Sequence, residues 1–313
     1  MTWRGCVPEA GLQPRRTADG SFSLFSRAIG EGFHSADGAL AEARAKFVAP
    51  AGLGRFAAGG TLQVVEVAVG TGTNTAALLE ATRLHGLELR WWGLERDPEP
   101  LRLAMADGGF RRQWSPALLS EAEALWTSDR LLWGDARTRL PDLPAALTGA
   151  CDLVLLDAFS PRRSPELWTT EFLGALAQLL APHGRLLTYC SAAALRRSLA
   201  DSGLQLAAIR AAGPHEEGAW SGGTVASPSP LPNDQRVLRS LSPMEREHMA
   251  SRAGEPYNDP HGRASAAEIL AARARAQALS TAESGSAWQR RWGGRRHHYR
   301  PRQQEGGGPE QDR

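Results

Sequence analysis

Lysine is almost absent from this chain of 313 residues, since Lys46 is the only one and arginine carries nearly all of the positive charge. The 36 basic and 34 acidic residues leave a formal net charge of +2. A balance so near neutrality does not by itself indicate a nucleic-acid-binding protein. Arginine nevertheless suits the recognition of phosphate, because its planar guanidinium binds two oxygens at once.

Cysteine is also scarce. Cys6, Cys151 and Cys190 are odd in number and far apart, and no Cys-x-x-Cys pair occurs. The spacing therefore excludes a disulfide framework and a cysteine zinc site. The 8 histidines show no paired ligand spacing, so we expect no metal site.

Long apolar runs are missing as well. No stretch approaches the roughly 18 apolar residues of a membrane-spanning helix. The first 16 residues, MTWRGCVPEAGLQPRR, lack the apolar region of a signal peptide. We expect a cytoplasmic protein without membrane association, long enough for one large or two small domains.

The most informative stretch is TLQVVEVAVGTGTNT, residues 61–75. Its valine-rich half indicates a buried parallel strand, and a helical pattern follows Gly70, Thr71 and Gly72 at once. Two glycines permit a tight turn, and the next helix points its free N–H groups toward the same place. Such a turn binds a nucleotide-like cofactor in an open α/β sheet, although many Gly-x-Gly turns serve packing alone.

Strand and helix patterns alternate from residue 61 onward. Seven strands are predicted, at 61–69, 87–94, 130–133, 152–156, 185–190, 204–210 and 220–226. Helices are predicted at 39–48, 74–85, 100–106, within 110–126, within 138–147, at 166–180 and at 192–201. The alternation predicts an α/β fold, Rossmann-like, with a doubly wound and mostly parallel sheet. The last two strands have no helix between them, which favours a closing antiparallel pair.

We expect three regions along the chain. Residues 1–20 lack periodicity and indicate a loose leader, and 21–226 form the main domain, beginning with a strand or hairpin at 22–33. Residues 227–313 form a C-terminal extension with helices at 243–252 and 264–278. Its end, from 289 onward, is low in aliphatic residues and predicts a disordered basic tail.

Acidic residues follow three successive strands. Glu95 lies about 25 residues after the glycine turn, near the roughly 20-residue offset of an acid that binds ribose hydroxyls. Asp135, followed by Ala136, is placed to accept the exocyclic amine of adenine, and Asp157 ends the fourth strand. Each acid alone is as compatible with a helix cap or a solvated turn.

The turn itself separates two classes of cofactor. A dinucleotide fold favours G-x-G-x-x-G/A, but Thr75 stands at the last position here. Glu66, Ala68, Gly70 and Gly72 are instead similar to the E/D-x-G-x-G-x-G motif of S-adenosylmethionine methyltransferases. Ala68 departs from the first glycine of that motif by one methyl group.

Three further blocks resemble the methyltransferases that form 5-methylaminomethyl-2-thiouridine at the wobble position of tRNA. They are FHSADGALAE (residues 33–42), GLERDP (93–98) and LDAFSP continuing to PELW (156–168). The third is the most specific, since it matches L-D-[GA]-F-[AS]-P-x-x-x-P-x-x-W. The resemblance covers about residues 22–226, and the C-terminal region is too short and polar for the oxidase domain of the fused bacterial form.

The resemblance implies methylation of the primary amine of a 5-aminomethyluridine in the tRNA anticodon loop, with S-adenosyl-L-methionine as the methyl donor. Asp157 is then the candidate base that accepts the amine proton. Phe159 and Pro161 would line the wall for an extruded base, and Arg162 and Arg163 would contact phosphate. Burial of Phe159 and a solvated turn at the arginines are equally compatible with the residues alone.

Other parts of the chain are assigned less specifically. His34 and Ser35 close over the cofactor if the resemblance holds, whereas Trp168 favours packing. The cluster of arginines and aromatic residues at 290–302 is typical of RNA-binding segments, but also of a solvated end. Its deletion should weaken tRNA binding if it contacts phosphates.

Two other functions remain compatible with the sequence. A spermidine-synthase-like aminopropyl transferase also uses an acid at a strand end, but would favour a second acid near Asp157. A degenerate methyltransferase fold that serves as an RNA-binding adaptor would explain Ala68 and the long tail. The sequence determines neither the tRNAs, nor the source of the aminomethyl precursor, nor the oligomeric state.

Overall fold

The structure is a computed structural model that describes residues 11–210, 221–234 and 236–292. Its strands are β1 (Leu12–Arg16), β2 (Phe22–Ser26), β3 (Glu31–Gly32), β4 (Thr61–Val67), β5 (Glu88–Glu95), β6 (Leu131–Trp133), β7 (Cys151–Leu156), β8 (Leu180–Thr188), β9 (Gln205–Ile209), β10 (Gly223–Ser227) and β11 (Leu238–Arg239). Its α-helices are α1 (Ala39–Ala43), α2 (Ala49–Ala51), α3 (Thr73–Leu84), α4 (Glu99–Ala106), α5 (Gly108–Arg112), α6 (Pro116–Trp126), α7 (Ala136–Arg139), α8 (Thr170–Leu179), α9 (Ala193–Asp201), α10 (Pro243–Ala250), α11 (Ala266–Leu279) and α12 (Gly285–Trp292).

The main sheet has eight strands in the order β11-β9-β10-β8-β7-β4-β5-β6. Five adjacent strands of this sheet are parallel, as the alternating pattern predicts, and they are β8, β7, β4, β5 and β6. The predicted antiparallel closure is confirmed, because β10 pairs antiparallel with both β8 and β9. The predicted count of seven is one strand short, since the two-residue β11 adds to β9 from the C-terminal extension.

The core lies on both faces of this sheet. Val64 and Leu153 pack on one face with Trp91, and Val65 and Val154 pack on the other with Trp168. Alternate residues of one strand point to opposite faces, so a strand covered on both sides must be apolar throughout. The doubly wound Rossmann-like fold is therefore confirmed, and it brings the carboxyl ends of β4, β5, β6 and β7 to one edge.

Three predicted boundaries are wrong. Part of the predicted loose leader is strand β1, which pairs with β2 and presents Pro14 on an outer strand, where a missing N–H is tolerated. The helix predicted at 166–180 is split into a 3₁₀ turn, Pro165–Trp168, and α8, whose N-cap Thr169 accepts from the Phe172 N–H. The strand predicted at 185–190 begins earlier, at Leu180.

The early start of β8 has a local cause. Its pairing with β7 shifts register between Cys151 and Leu153, so Pro182 lies at an irregularity where no ladder hydrogen bond is required of it. A Cβ on Gly184 would lie 2.4 Å from the Cys151 carbonyl oxygen, so only glycine fits that approach.

The hairpin predicted at 22–33 is confirmed as β2 and β3, which pair antiparallel. The helix predicted at 39–48 is also present, as α1 followed by a π-helical turn at Arg44–Val48. Neither Ser35 nor Asp37 caps it, because Gly38 is the N-cap and no side chain bonds there.

The C-terminal extension packs on helix α9 of the main domain through buried charge. Arg196, only 1% exposed, pairs with Glu245, which is fully buried, at 3.1 Å. Helices α10 and α11 both begin with a capping box, Ser242 with Glu245 and Ser265 with Glu268. The extension also contributes strand β11 to the main sheet, so it is not separate from the main domain in the fold. The predicted boundary at residue 227 stays a prediction.

Part of the predicted disordered tail is helix α12. There Arg291 pairs with Glu247 and Glu283, and the Trp292 indole donates to Glu247 at 2.8 Å. These two residues of the predicted RNA-binding cluster therefore have partners inside the protein, and residues 295–302 lie outside the described part. Among the residues that the structure describes, no helix is long and apolar enough to span a bilayer.

Candidate active site

The turn between β4 and α3 has three residues in the left-handed backbone region. Ala68, Gly70 and Gly72 have φ values of 62°, 57° and 76°. Glycine adopts this region freely, whereas an alanine is destabilised there by about 1–2 kcal/mol. The one departure from the glycine motif thus lies at a position whose backbone favours glycine.

Glu95, at the end of β5, is fixed against this turn. One of its carboxylate oxygens accepts from the Gly70 N–H at 2.8 Å, and the other accepts from the N–H groups of Arg96 and Asp97. Burial raises the pKa of Glu95, although these three hydrogen bonds oppose the rise. The predicted ribose acid is therefore held at the edge of the cofactor turn.

Gly72 and Thr71 shape the turn from the inside. A Cβ on Gly72 would lie 2.5 Å from the Trp126 ring, so helix α6 packs directly on this glycine. Thr71 is 1% exposed, with its hydroxyl 2.8 Å from that of Thr73. Both residues support the turn, and their direct contact with a cofactor remains a prediction.

Glu66 lies beneath the turn in the core. It is fully buried, and its Oε2 accepts from the Thr75 hydroxyl and the Trp91 indole, both at 2.7 Å. Its Oε1 has no hydrogen-bond partner within the described ranges. Desolvation raises its pKa to about 7. In this geometry Glu66 braces the start of α3, and its predicted cofactor contact stays a prediction.

A cleft opens at the carboxyl ends of β4, β5 and β6. Its lining includes Ala68, Glu95, Arg96, Asp135, Ala136 and Glu166. The structure therefore brings together the predicted ribose acid and the predicted adenine residues. Glu166 was not predicted as a site residue, and it reaches the cleft from the 3₁₀ turn Pro165–Trp168.

Asp135 has two structural partners already. It is the N-cap of α7, accepting from the Arg137 N–H, and it forms an ion pair with the Arg137 guanidinium at 2.7 Å. Arg137 also pairs with the buried Asp259 of the C-terminal extension at 2.7 Å. These bonds lower the pKa of Asp135 against the effect of its burial. The extension thereby fixes one wall of the cleft.

Asp157, the predicted base, follows β7 and lies beside the cofactor turn. Its N–H donates to the Val67 carbonyl at 3.2 Å, at the end of β4. The Asn74 amide donates to its Oδ2 at 2.6 Å, from the first turn of α3. The carboxylate is thus oriented by a residue of the helix that begins the cofactor motif.

Burial and two acids, Glu42 and Glu66, act on Asp157. Burial raises its pKa well above the ordinary value, the charge of Glu42 raises it further, and the Asn74 hydrogen bond lowers it. Glu42 accepts from the Ser35 N–H at 2.7 Å, and burial raises its pKa as well. A cationic ligand bound here would offset the repulsion between these acidic groups and favour their ionised forms.

The loop after Asp157 packs against the N-terminal hairpin. Phe159 meets Phe33 edge to face, with ring centroids 5.0 Å apart. Phe33 also covers the cofactor turn, since a Cβ on Gly70 would lie 3.3 Å from its ring. Phe159 is half-buried and Pro161 is buried, so the wall predicted for an extruded base exposes part of one aromatic ring.

The hairpin is further attached by Glu31. Its carboxylate accepts from the Ser160 N–H at 3.0 Å and from the Ser160 hydroxyl. Arg163 is exposed and lies 3.9 Å from the same carboxylate. Arg162 is exposed too, and across the described segments no carboxylate pairs with it. Phosphate contact was predicted for both arginines, and Arg162 is the more available of the two.

Other side chains hold the motif blocks in place, and the closure of His34 and Ser35 over the cofactor stays a prediction. His34 lies 3.0 Å from the Ser23 hydroxyl through Nδ1, and burial lowers its pKa to about 4. Trp168 is fully buried, as favoured from the sequence, and its indole donates to the Phe159 carbonyl at 2.8 Å. Tyr189 donates to the Ala158 carbonyl at 2.9 Å. These bonds fix the loop on which the predicted substrate residues lie.

Sequence reasoning missed Asn74, Glu31 and Glu166 as members of the site. Asn74 carried a weak signal, because it lies directly after the glycine turn at the start of a predicted helix. Glu31 and Glu166 carried none, since their partners and their cleft are far away along the chain.

The chain is similar to known proteins over the region that carries this site. Residues 111–220 match a family described as S-adenosyl-L-methionine-dependent methyltransferase. The chain is 32% identical over 225 residues to the tRNA 5-methylaminomethyl-2-thiouridine biosynthesis bifunctional protein MnmC of Pseudomonas aeruginosa, covering 65% of this chain and 34% of that protein. It is also 32% identical over 203 residues to the protein of that name from Burkholderia multivorans, covering 58% and 30%. The chain thus spans about a third of the length of these relatives.

Among solved structures, MNMC2 from Aquifex aeolicus is similar, with a TM-score of 0.68 and 27% identity over 87% of each chain. The resemblance predicted from the motif blocks is therefore confirmed over the methyltransferase part. The predicted fold, that of class I S-adenosylmethionine-dependent methyltransferases, is confirmed by the same comparisons.

Proposed function

We propose that this chain, an S-adenosylmethionine-dependent methyltransferase, methylates the primary amine of a 5-aminomethyluridine, with or without 2-thiolation, at the wobble position of tRNA. The observation that carries the proposal is the position of Asp157, which is held by Asn74 beside the cofactor turn and is followed by the half-buried Phe159. The names of the relatives from Pseudomonas and Burkholderia support the tRNA substrate. Such a substrate places the reaction in the cytoplasm.

The residues of the cleft fit the methyl donor. Glu95 presents an acid beside a left-handed glycine turn, and Glu166 has a buried oxygen for which the described residues provide no partner. An adenosine offers hydroxyl and amine donors to such acceptors. When bound, S-adenosylmethionine supplies a methyl group on a positively charged sulfur.

The acceptor amine must lose a proton before it can attack the methyl group. An alkylamine is protonated at neutral pH and then has no lone pair for attack, as for a lysine with a pKa near 10.4. Asp157 is placed to accept that proton, and its raised pKa makes it a better base than an ordinary aspartate. A cation beside it stabilises its ionised form.

The transfer itself is an in-line displacement. The nitrogen lone pair forms the new bond to the methyl carbon while the bond from carbon to sulfur breaks, and its electron pair remains on sulfur. The contribution of the protein is alignment of these three atoms. Asp157 orients the amine, and Phe159 offers a ring on which an extruded uracil can stack.

The proposal includes two further points. The first is that a separate oxidase or modification enzyme supplies the aminomethyl precursor. Arg162 contacts the phosphates of the anticodon loop, because it is exposed and has no acidic partner in the described part.

Incubation with labelled S-adenosylmethionine and tRNA from a strain that lacks the modification tests the proposal. Mass analysis of the nucleosides should show one added methyl group on the 5-aminomethyluridine derivative. Absence of labelled nucleoside from a well-folded protein would contradict the tRNA substrate.

Calorimetric titration distinguishes the two other functions. No binding of S-adenosylmethionine would favour an RNA-binding adaptor. Preference for its decarboxylated analogue would favour an aminopropyl transferase.

A further inference from the structure

The N-terminal sheet, formed by β1, β2 and β3, has one side toward the core and one side toward solvent. Pro14 lies opposite Leu24 and Arg16 lies opposite Phe22. Leu24 and Phe22 are both buried in the core. Directly opposed residues of an antiparallel pair point to the same side, and successive residues alternate. Arg15, between Pro14 and Arg16, therefore points to the outer side.

Arg15 is held on this outer side without the use of its N–H groups. It is exposed, and its guanidinium carbon lies 3.9 Å from the centroid of the Phe25 ring, which is diagonal to it across the strand pair. A stacked arginine still presents its donors at the edge of the guanidinium plane, where they can bind two oxygens of a phosphate. The stack also removes side-chain freedom that binding would otherwise have to restrict.

The acidic residues of segment 11–32 are turned toward the body of the protein. Asp19, in the turn between β1 and β2, accepts from a backbone N–H of helix α1 at 3.1 Å. Glu31 accepts from a backbone N–H of the loop after β7 at 3.0 Å. In contrast, Arg15 and Arg27 are exposed, and no carboxylate in the described parts of the chain pairs with either. The outer side is therefore basic, although the net charge of the whole chain is only +2.

Arg27 belongs to the same outer side. It follows β2, and its Nε donates to the Gln13 side chain at 2.8 Å when the amide oxygen faces the guanidinium. Gln13 is opposite Phe25 and two residues before Arg15, so all of these side chains share one side of the sheet.

The basic side continues to the loop that carries the proposed substrate residues. Arg163 reaches the turn between β2 and β3, because a Cβ on Gly30 would lie 3.4 Å from its guanidinium. Arg162 precedes it in the loop after β7 and is exposed. The arginines form a basic band that runs from β1 over this turn to that loop, and it consists of Arg15, Arg27, Arg163 and Arg162.

A nucleic-acid backbone is the partner that fits the basic band. Each nucleotide carries a negative charge, so a row of arginines can neutralise several in succession. Strand β1 lies two strand spacings, about 10 Å, from β3, which contacts the loop after β7. The band thus extends past the position of the nucleotide that is methylated. Its continuity with the loop beside Asp157 favours RNA over an acidic protein, because the proposed RNA substrate enters at that loop.

We infer that the outer side of the N-terminal sheet binds phosphates of the anticodon arm beyond the wobble nucleotide, with Arg15 and Arg27 as the contacts. The inference rests on the proposed tRNA substrate and gives part of the affinity to a surface outside the cofactor cleft. Phosphate contacts carry no base information, so this part of the affinity is the same for tRNAs with different anticodons.

Binding of tRNA at several salt concentrations tests the inference. Each phosphate contact contributes about 0.7–0.9 to the slope of log affinity against log salt concentration. The double variant Arg15→Gln with Arg27→Gln should lower the magnitude of that slope by about 1.4–1.8 and weaken binding at least about tenfold near 0.1 M salt. Its affinity for S-adenosylhomocysteine should equal that of the parent protein, which shows that the fold is intact.

Arg130→Gln is the matched control. Arg130 is exposed and its guanidinium carbon lies 6.0 Å from the Trp92 ring centroid, but it precedes β6 at the opposite edge of the main sheet. The control should keep the slope of the parent protein. A slope unchanged in the double variant, or lowered as much by Arg130→Gln, would overturn the inference.

Two further readouts separate lost charge from lost structure. Arg15→Lys keeps the charge and should keep the salt slope, although it loses the stack on Phe25. In methylation kinetics the double variant should raise KM for tRNA and retain kcat, because these contacts are equal in the ground state and the transition state. A fall in kcat at unchanged KM would contradict a role in binding phosphate.

The outcomes also distinguish this inference from the proposed function. Binding of tRNA that depends on Arg15 and Arg27, in a protein that does not methylate it, would contradict the proposed reaction alone. Methylation of tRNA with parental KM and salt slope in the double variant would overturn this surface alone. Failure of the parent protein to bind tRNA would overturn both.

Discussion

Asn74 and Asp157 lie 83 positions apart, and the amide of one donates to the carboxylate of the other at 2.6 Å. The bond joins the first turn of α3 to the end of β7, so the residue proposed as the base is oriented by the helix that follows the cofactor turn. The Oδ1 atom of Asn74 is buried, and the described residues offer it no donor. Two acceptors, the Asn74 carbonyl and the Asp157 carboxylate, therefore lie together where a cationic amine is proposed to bind.

Asp157→Asn should remove the base and leave the cofactor cleft intact. The asparagine oxygen can still accept from Asn74, so the fold is expected to persist. Loss of general base catalysis lowers turnover by about 10²- to 10⁴-fold. Methylation kinetics and calorimetry with S-adenosylhomocysteine measure both properties. The exposed Asp142→Asn serves as the control, and a normal rate in Asp157→Asn would contradict the role.

Asn74→Ala should move the pH dependence of the reaction. The Asn74 hydrogen bond lowers the pKa of Asp157, so its loss raises that pKa further. If the ionised carboxylate is the active form, the acid limb of the kcat/KM profile moves to higher pH. Turnover at neutral pH should fall by about tenfold, the value of one such hydrogen bond.

The shape of that profile separates two roles of Asn74. A merely structural role would lower kcat/KM equally at every pH. An unshifted limb would therefore count against a positioning role.

Ala68→Gly should stabilise the protein. The alanine has φ of 62°, a conformation that costs an L-residue about 1–2 kcal/mol. Glycine removes that cost, but it gives the unfolded chain more conformational entropy, which lowers stability by about 0.4–1 kcal/mol. The net gain is about 0.5–1 kcal/mol in the free energy of unfolding, measured by urea denaturation.

Ala274→Gly, on an exposed position inside α11, provides a control of opposite sign. It should lose about 1 kcal/mol, because glycine disfavours a helix interior. Destabilisation by Ala68→Gly would show that the methyl group contributes packing that outweighs the backbone strain.

Glu66→Gln should flatten the pH dependence of stability. Burial raises the pKa of Glu66 from 4.5 to about 7, so between these values the folded state holds a proton that the unfolded chain has lost. Its contribution to stability is complete below pH 4.5 and is lost as pH rises through 7, a total of about 3 kcal/mol. The variant carries no such titration.

Urea denaturation from pH 5 to pH 8 measures this difference. Glu95 is present in both proteins, and its charge contributes to the raised pKa of Glu66, so the difference reports Glu66 together with that coupling. Parallel pH profiles for the parent and the variant would show that Glu66 does not titrate in this range.

Much of the fold follows from local features of the sequence. Apolar runs of strand length and the helices between them predicted the parallel sheet, because side-chain periodicity is set by the backbone itself. Strand polarity then placed Glu95, Asp135 and Asp157 at one edge. The boundaries that failed, at β1, β8 and α8, depend on a partner strand or on a buried turn that no local pattern encodes.

The sequence by itself determined the class of cofactor and the position of the acids. Only the tertiary structure decided what those acids do. Glu66 faces the core under Thr75 and Trp91. Asp135 pairs with Arg137, which pairs in turn with Asp259. The physical reason is that a strand end fixes where a carboxylate lies, whereas its free oxygens depend on donors that arrive from distant parts of the chain. Glu166, for the same reason, has an oxygen in the cleft for which the residues of the described ranges provide no donor.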